Sequence, residues 1–391
     1  MLSFHARRYD TGEPVKITIS GDRIAAVEPA VPDGSAADWP FVAPGLFDLQ
    51  INGLDGVWFA AEDLTADDVL KTLHGHYRFG VTRLCPTMIT NSFEALRAGF
   101  AAIREACERE PWAAAMVPGC HLEGPYISAE DGPRGAHPLD QVRPCDWDEF
   151  SKLQAAAGGL IRLITLAPES RGAVEFIRRA VDAGVTVAIG HTAANTEQID
   201  AAVTAGARLS THLGNGAHGT LRRHPNYIWD QLGDARLWAS LMTDGFHIPA
   251  SVIRTVVKTK GLQRTIITCD ASGFAGFEPG VYEYAGMQYE ILPDGPIVVA
   301  GQRQMLAGSA RSTPDCVATT AAAADLTLGQ AWNMASRNPA RLLGFDVFRL
   351  ARGSRADLTL FDYNPQSVRI EIRATLAAGC AVFGENALAA G

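Results

Sequence analysis

Short apolar runs alternate with longer segments of helical periodicity through most of the chain. Eight runs are predicted as buried strands: Phe41 to Asn52, Thr82 to Thr90, Ala115 to Glu123, Ile161 to Ala167, Val185 to His191, Arg208 to Leu213, Trp238 to Asp244 and Thr265 to Asp270. Strands that alternate with helices favour a parallel sheet, and eight such strands close a barrel. The pattern therefore predicts an α/β fold of the (β/α)8, TIM-like class.

The segments between and after these runs carry apolar residues at the spacing of one helix face. The predicted helices include Thr65 to His76, Ser92 to Arg109, Ser170 to Ala183, Thr196 to Ala205, Thr313 to Asp325 and Leu328 to Leu343. From Asp270 to Met305 the chain is rich in glycine and proline and holds short β-like pieces. We interpret residues from about 274 to 305 as an insertion over the barrel mouth.

The two ends of the chain show a different pattern, in which apolar and polar residues alternate. Near the N-terminus, Val15 to Ile19 and Arg23 to Val27 flank a Gly-Asp turn signal. Near the C-terminus, Ala356 to Phe361 and Ala378 to Phe383 have the same character. We predict that both termini form one small β-sandwich domain, from residues 1–42 and 348–391, beside a barrel of residues 43–347.

Composition and charge narrow the function. The chain has 391 residues, 47% hydrophobic and 20% charged, with a net charge of −9. That balance argues against a nucleic-acid binder, which presents a basic face to phosphates. Seven scattered cysteines without a CxxC pair fit reduced thiols. With no signal-peptide core and no bilayer-spanning apolar segment, we expect a cytoplasmic protein that acts on a small molecule, without a membrane partner.

Polar side chains end five of the predicted strands, where the loops of a parallel barrel form one concave mouth. They are Glu123, His191, His212, His247 and Asp270. Two imidazoles and a carboxylate are a usual ligand set for zinc or a similar cation. A lone histidine more often satisfies a hydrogen bond in the core, but here three candidates converge. We therefore predict that Glu123, His191 and His212 bind a divalent metal.

Asp270 is predicted to move protons. As an isolated aspartate it would more often cap the turn after its strand, but its strand directs it to the same mouth. A carboxylate beside a metal site can act as general base and then as general acid. His121 alternates with Glu123 on its strand, and a supporting role or a ligand role remains open for it. No glycine-rich nucleotide fingerprint follows a strand, so no nucleotide cofactor is expected.

Seven motifs resemble those of the N-acetylglucosamine-6-phosphate deacetylase family of the amidohydrolase superfamily. They are PGLFDLQING (Pro44 to Gly53), HLEGPY (His121 to Tyr126), GAHP (Gly135 to Pro138), GHT (Gly190 to Thr192), THLGN (Thr211 to Asn215), DGFH (Asp244 to His247) and TCDA (Thr268 to Ala271). The resemblance covers nearly the whole length. It implies the same metal ligands and the same role for Asp270.

The resemblance also implies one metal ion per subunit. Superfamily members with two metals end the first strand in His-x-His, whereas this chain has Gln50-Ile51-Asn52. Amide side chains are poor zinc ligands, so Gln50 and Asn52 are expected to form hydrogen bonds instead. We expect zinc first, although iron, cobalt and manganese suit the same ligands.

Substrate contacts carry over by position, with His137 also stabilising the acyl oxygen. They are Ala136, His137, Asn215, Gly216, Arg223, His247, Leu306, Ala307 and Gly308. Arg223 is at the position of the family's phosphate-binding arginine, which reaches across from a neighbouring subunit, so a homodimer is expected. The loop of residues 215–229 departs from the family, which usually has Ala-Met after the asparagine where this chain has Gly216-Ala217-His218.

The leading hypothesis is hydrolysis of the N-acetyl group of an amino-sugar 6-phosphate, with N-acetyl-D-glucosamine 6-phosphate as the first candidate. The divergent 215–229 loop motivates an alternative, in which the same reaction acts on a non-phosphorylated N-acyl sugar or another small amide. A third reading is a silent sugar-phosphate-binding protein, since a fold alone does not prove activity.

Overall fold

A closed ring of eight parallel strands forms the centre of the computed structural model, which describes residues 1–32, 34–284, 286–293, 295–306 and 308–388. In chain order the barrel strands are Leu46–Ile51, Val81–Ile89, Cys120–Glu123, Ile161–Leu166, Thr186–Ile189, Leu209–Ser210, Trp238–Met242 and Thr265–Thr268. The ring closes where Asn52 N donates to Ala271 O at 2.8 Å. The predicted (β/α)8 class is confirmed.

Helices cover the outside of the barrel. The α-helices are Ala66–His76, Phe93–Arg109, Pro111–Met116, Trp147–Ala156, Ala173–Asp182, Thr196–Ala205, Tyr227–Gly233, Ala250–Lys260, Thr313–Ala324, Leu328–Met334 and Arg337–Leu343, with 3-10 turns at Ala36–Asp38, Tyr77–Phe79, Leu139–Gln141 and Glu385–Leu388. Thr65 and Asn195 begin two of the helices with capping boxes, each satisfying a backbone N–H of the first turn.

Three predicted elements are divided or shortened. The predicted strand from Phe41 to Asn52 splits at Gly45, where a Cβ would overlap Thr82, and only its second half enters the barrel. The strand predicted from Ala115 starts at Cys120, because the helix Pro111–Met116 occupies its beginning. The last predicted helix is two helices, since Pro339 lacks an N–H and must lie in the first turn of a new helix.

Both chain termini contribute to a second, seven-stranded sheet, as predicted. Its strands in spatial order are Arg23–Pro29, Pro14–Ser20, Leu2–Arg8, Phe41–Pro44, Leu358–Asn364, Arg369–Ala377 and Cys380–Phe383. Phe4, Ile17 and Leu376 belong to a buried cluster separate from the barrel core. Ile24 N donates to Ser354 O at 2.9 Å, which joins the edge strand Arg23–Pro29 to the segment that precedes Leu358–Asn364.

A third sheet covers the barrel mouth, and we call it the lid. Its four antiparallel strands are Gly280–Tyr284, Met287–Ile291, Ile297–Val299 and Gln302–Leu306. Gly53–Leu54 and Val57–Trp58 form a small hairpin after the first barrel strand. Trp58 and Phe274 pack against buried residues of the lid. The stretch interpreted as an insertion from about 274 to 305 therefore lies in and around this lid.

The interior of the barrel changes from apolar to polar along the strands. Its amino-terminal part is filled by side chains such as Phe47, Leu163 and Ile266, all fully buried. Polar groups gather toward the carboxyl ends, where the lid covers them. Within the described part of the chain, no helix is both long and apolar enough to cross a membrane.

Candidate active site

Three predicted ligands meet at the carboxyl end of the barrel. Glu123 ends the third strand, and His191 and His212 follow the fifth and sixth strands by two residues. Glu123 Oε1 lies 3.2 Å from Nε2 of His191 and 2.9 Å from Nε2 of His212, and the two nitrogens are 3.1 Å apart. All three side chains are buried. They form a group whose ligand atoms lie close enough together to hold one metal ion.

The donor geometry fits a cation. His191 Nδ1 lies 2.8 Å from the carbonyl oxygen of Pro133, which can only accept a hydrogen bond. The neutral ring therefore carries its hydrogen on Nδ1 and directs the Nε2 lone pair toward Glu123 and His212. Ligand atoms of a tetrahedral zinc site stand about 3.3 Å apart, close to the spacing seen here.

Charges inside the site affect one another strongly. Burial raises the pKa of Glu123, but its close contacts with His191 and His212 outweigh burial and bring the pKa well below its usual value. Burial lowers the pKa of His212, yet the hydrogen bond and charge of Glu123 leave it raised. A negative charge on Glu123 is therefore retained next to two imidazole nitrogens, which favours binding of a cation.

Asp270 lies beside this group and is held by an amide. Asn52 Nδ2 donates to Asp270 Oδ1 at 2.6 Å, and Gln50 Nε2 donates to Glu123 Oε1 at 2.9 Å. Both amides of the first strand thus bind carboxylates, as expected for residues that replace His-x-His. Burial, followed by the charge of Glu123, raises the pKa of Asp270 to about 6. A carboxyl with that pKa can take up and release a proton near neutral pH.

Three of these residues have an unusual backbone conformation. His191, His212 and Asp270 adopt positive φ angles of 51°, 30° and 51°. This left-handed conformation costs a non-glycine residue roughly 1–2 kcal/mol. Such outliers persist where the surrounding structure enforces them, and they concentrate at functional sites. Here the turn after each strand directs the side chain back over the barrel mouth.

His137 approaches the site from the loop after the third strand. Its ring lies 4.3 Å from the ring of His191 between centroids, and its Nδ1 lies 2.8 Å from Thr90 Oγ1. Burial, then the nearby His191, lowers the pKa of His137 to about 3. The ring is therefore neutral at physiological pH and retains one N–H donor.

These groups open into a cavity of about 900 Å³. Its wall includes most of the predicted site residues: Glu123, Ala136, His137, His191, His212, Asn215, Gly216, His247, Asp270, Leu306 and Gly308. Asn215 Nδ2 is buried with no hydrogen-bond partner in the described structure, so it is free for a ligand. His247 is oriented by Asp244, whose Oδ2 lies 2.7 Å from its Nδ1.

Two predicted contacts are not among these residues. Arg223 is exposed on its loop and does not line the cavity of its own chain. Ala307 lies outside the described residues. Gly216, where the family usually has alanine, has a φ of +54°, and a Cβ there would lie 2.6 Å from His191 Nδ1. The loop therefore passes so close to the His191 ring that only glycine fits this path.

The sequence analysis missed several contributors. His121, whose role was open, is 2.8 Å from Thr165 Oγ1 and lies outside the three-ligand group. Trp58, Tyr284 and Tyr289 line the cavity, although none was predicted to do so. In the sequence, the only feature that could have pointed to the two tyrosines is the presence of aromatic residues in the insertion of about 274–305. Nothing local in the sequence places Trp58 at the cavity.

Comparison with known proteins gives consistent matches. The sequence profile of the amidohydrolase family matches residues 41–384. The N-acetylgalactosamine-6-phosphate deacetylase of Escherichia coli O157:H7 is 32% identical over 93% of this chain and 94% of its own. The N-acetylglucosamine-6-phosphate deacetylase of Homo sapiens is 31% identical over 88% and 84%. The crystal structure of N-acetyl-D-glucosamine-6-phosphate deacetylase from Mycobacterium smegmatis superposes with a TM-score of 0.86 at 30% identity, covering 98% of this chain and 100% of that one.

Proposed function

Because the chain belongs to the amidohydrolase family, we propose that it removes the N-acetyl group of an amino-sugar 6-phosphate, with N-acetyl-D-glucosamine 6-phosphate as the first candidate. The observation that carries this proposal is the meeting of Glu123, His191, His212 and Asp270 in one cavity. Water adds to the acyl carbon, the C–N bond breaks, and acetate and the free amine are released.

Glu123, His191 and His212 would hold the metal, and zinc is the first expectation for this ligand set. A divalent cation there would polarise the scissile carbonyl and lower the pKa of a water molecule. Gln50 and Asn52 donate through their amide nitrogens to carboxylates, and a neutral amide oxygen is a poorer zinc ligand than an imidazole. This supports one metal ion in each subunit.

Asp270 is the proposed proton carrier. Its carboxylate accepts a proton from the attacking water and then delivers it to the leaving nitrogen, as a general base followed by a general acid. Asn52 fixes one carboxylate oxygen with a 2.6 Å hydrogen bond. The other oxygen remains available to the reacting atoms.

His137 is proposed to stabilise the oxygen of the tetrahedral intermediate. The 2.8 Å contact between Nδ1 and Thr90 Oγ1 holds the ring in place, and the proposed role requires the tautomer that carries its hydrogen on Nε2. A preorganised donor aimed at a developing negative charge in a buried site is an effective way to lower the barrier.

The sugar is proposed to bind at the polar side of the cavity, formed by Asn215, Gly216 and His247. The described residues that line the cavity include no lysine or arginine, yet a phosphate normally pairs with one. Arg223 is exposed and does not line the cavity of its own chain. We therefore propose a homodimer in which Arg223 of each subunit reaches the phosphate bound by the other.

The proposed function is tested by measuring acetate release from four compounds. They are N-acetylglucosamine 6-phosphate, N-acetylgalactosamine 6-phosphate and the two unphosphorylated sugars. A bidentate arginine–phosphate contact predicts that phosphorylation raises kcat/KM about 100-fold to 10,000-fold, the value of two charge-assisted hydrogen bonds. The absence of acetate release from all four by the metal-loaded enzyme would contradict the proposal.

A second candidate keeps the reaction and changes the substrate to a non-phosphorylated N-acyl sugar. The lack of a lysine or arginine among the described residues of the cavity wall favours this candidate if no partner subunit supplies one. Equal kcat/KM for a phosphorylated sugar and its unphosphorylated counterpart would select this candidate.

Mixed dimers test the position of Arg223. An Arg223→Ala dimer and an Asp270→Asn dimer should each be nearly inactive. If Arg223 acts across the interface of a twofold-symmetric dimer, a hybrid of the two variants has one complete site, in which one subunit supplies Asp270 and the other supplies Arg223. Random mixing makes about half of the dimers hybrids, so about one quarter of the wild-type activity should return. Restoration no greater than the sum of the two parents would show that Arg223 acts within its own chain or not at all.

We propose that the enzyme is located in the cytoplasm, a compartment that keeps thiols reduced. Support comes from the seven cysteines, all of which are free in the structure.

A further inference from the structure

Two loops of the cavity come together over the His191 ring. One follows the third barrel strand and includes Pro133, whose carbonyl oxygen lies 2.8 Å from His191 Nδ1. The other follows the sixth strand and includes Gly216, where a Cβ would lie 2.6 Å from the same nitrogen. Most residues that these loops contribute to the cavity lining are glycine or alanine. We use the name glycine wall for Gly132, Gly135, Ala136, Gly216, Ala217 and Gly219.

The glycine wall has little of its own to fix its two loops. Glycine loses more conformational freedom on folding than any other residue, so a glycine-rich segment is costly to order. In the residues that the structure describes, no backbone hydrogen bond joins the two loops. They touch at Gly132, where a Cβ would lie 2.9 Å from the Cα of His218. The position of the wall therefore depends on side chains.

His218 supplies the side-chain connection. Its Nε2 lies 3.1 Å from Glu130 Oε2 on the first loop, and its Nδ1 lies 3.0 Å from the hydroxyl of Tyr227, which begins the helix Tyr227–Gly233. The backbone N–H of His218 donates to the same hydroxyl at 2.8 Å. A carboxylate only accepts, so the neutral ring carries its hydrogen on Nε2 and accepts the Tyr227 O–H on Nδ1. We call Glu130, His218 and Tyr227 the clamp.

The two halves of the clamp differ in burial. Tyr227 is 5% exposed, and a hydrogen bond in such surroundings is protected from competition with water. The side chain of Glu130 is 65% exposed, where a polar contact adds little free energy. The bond between His218 and Tyr227 is therefore the firmer half, and Glu130 sets the direction of the ring.

We propose that His218 is a positioning residue for sugar recognition, because the clamp holds the glycine wall in the shape that binds an amino-sugar phosphate. This inference rests on the proposed function. A wall that leaves this shape part of the time binds its ligand more weakly, in proportion to the fraction of molecules in the competent shape. Glu123 and Asp270 lie outside the wall, and His137 is held separately by Thr90. Loss of the clamp should therefore weaken sugar binding and largely spare kcat.

Binding of glucosamine 6-phosphate, the product amine, to the metal-loaded enzyme measures sugar recognition without turnover. His218→Ala and Tyr227→Phe should each raise its Kd in isothermal titration calorimetry about fivefold to tenfold, the value of one hydrogen bond. KM for N-acetylglucosamine 6-phosphate should rise by a similar factor, while kcat stays within about twofold of the wild type. The double variant should do no more than the stronger single variant, because both changes break the same contact.

Two further variants separate the clamp from a general effect on stability. His218→Asn keeps an acceptor close to the position of Nδ1, so its Kd should return to within about twofold of the wild type. Tyr9→Phe is the matched control, because Tyr9 is also 5% exposed and its hydroxyl donates to Asn333 at 3.0 Å, away from the cavity. It should leave Kd and KM as in the wild type.

The outcomes are distinguishable. Cleavage of the phosphosugar by the wild type, with a Kd that His218→Ala and Tyr227→Phe leave unchanged, overturns the positioning role alone. A loss of bound metal in these variants also overturns it, since the clamp would then act on His191 and not on the sugar. An enzyme that neither binds glucosamine 6-phosphate nor releases acetate from its N-acetyl derivative overturns the proposed function, and the role of the clamp with it.

Discussion

An Asp270→Asn enzyme is expected to bind metal normally and to lose about 10⁴-fold in kcat, the upper range for a general acid–base group. Asparagine keeps the shape of the side chain and tolerates a left-handed backbone, so the φ of 51° at this position should be retained. What disappears is the capacity to take a proton from water and deliver it to nitrogen. Acetate release in single-turnover and steady-state assays measures the loss.

Asp325→Asn is the matched control for that experiment. Asp325 has a φ of 54° and is exposed after the helix Thr313–Ala324, so the same atoms change in the same backbone conformation, away from the cavity. This variant should keep wild-type kcat. An Asp270→Asn enzyme with normal metal content and a near-normal rate would show that Asp270 does not carry the proton.

Loss of a metal ligand should have an effect of similar size. Glu123→Gln and His212→Ala are each expected to reduce bound metal to a small fraction of one ion per chain. Activity should fall at least about 1,000-fold, because the electrostatic stabilisation that a cation supplies is worth several kcal/mol. Inductively coupled plasma mass spectrometry gives the metal content, and acetate release gives the rate.

The controls for the metal prediction are a distant histidine and the metal itself. His74→Ala removes an exposed imidazole on the helix Ala66–His76 and should change neither readout. Wild-type protein stripped with a chelator should regain activity with zinc, iron, cobalt or manganese added singly, to extents that identify the preferred ion. A stoichiometry of two ions per chain would contradict the single site inferred from Gln50 and Asn52.

The sequence was sufficient to predict that the three candidate ligands lie together, because strand ends follow a topological rule. Once eight parallel strands are recognised, the residues that end them must share one edge. Glu123, His191 and His212 therefore meet whatever the loops do. The family resemblance added the role of His137, which lies on a loop and has no such rule to place it.

Contacts between loops could not be predicted from the sequence. The carbonyl of Pro133 selects the tautomer of His191, but any backbone carbonyl could do so, and the choice depends on the path of the whole loop. Trp58 reaches the cavity only after its hairpin packs on Gly273 and the lid. Arg223 lies on an exposed loop. Its proposed target, the substrate phosphate, is bound by the other subunit of the proposed dimer.

The left-handed turns at His191, His212 and Asp270 have a consequence for heat resistance. Together they remove about 3–6 kcal/mol from a folding free energy that is typically about 5–15 kcal/mol in a domain. Since a ligand that binds only the folded state opposes melting, we expect the metal-free chain to melt at a lower temperature than the metal-loaded chain.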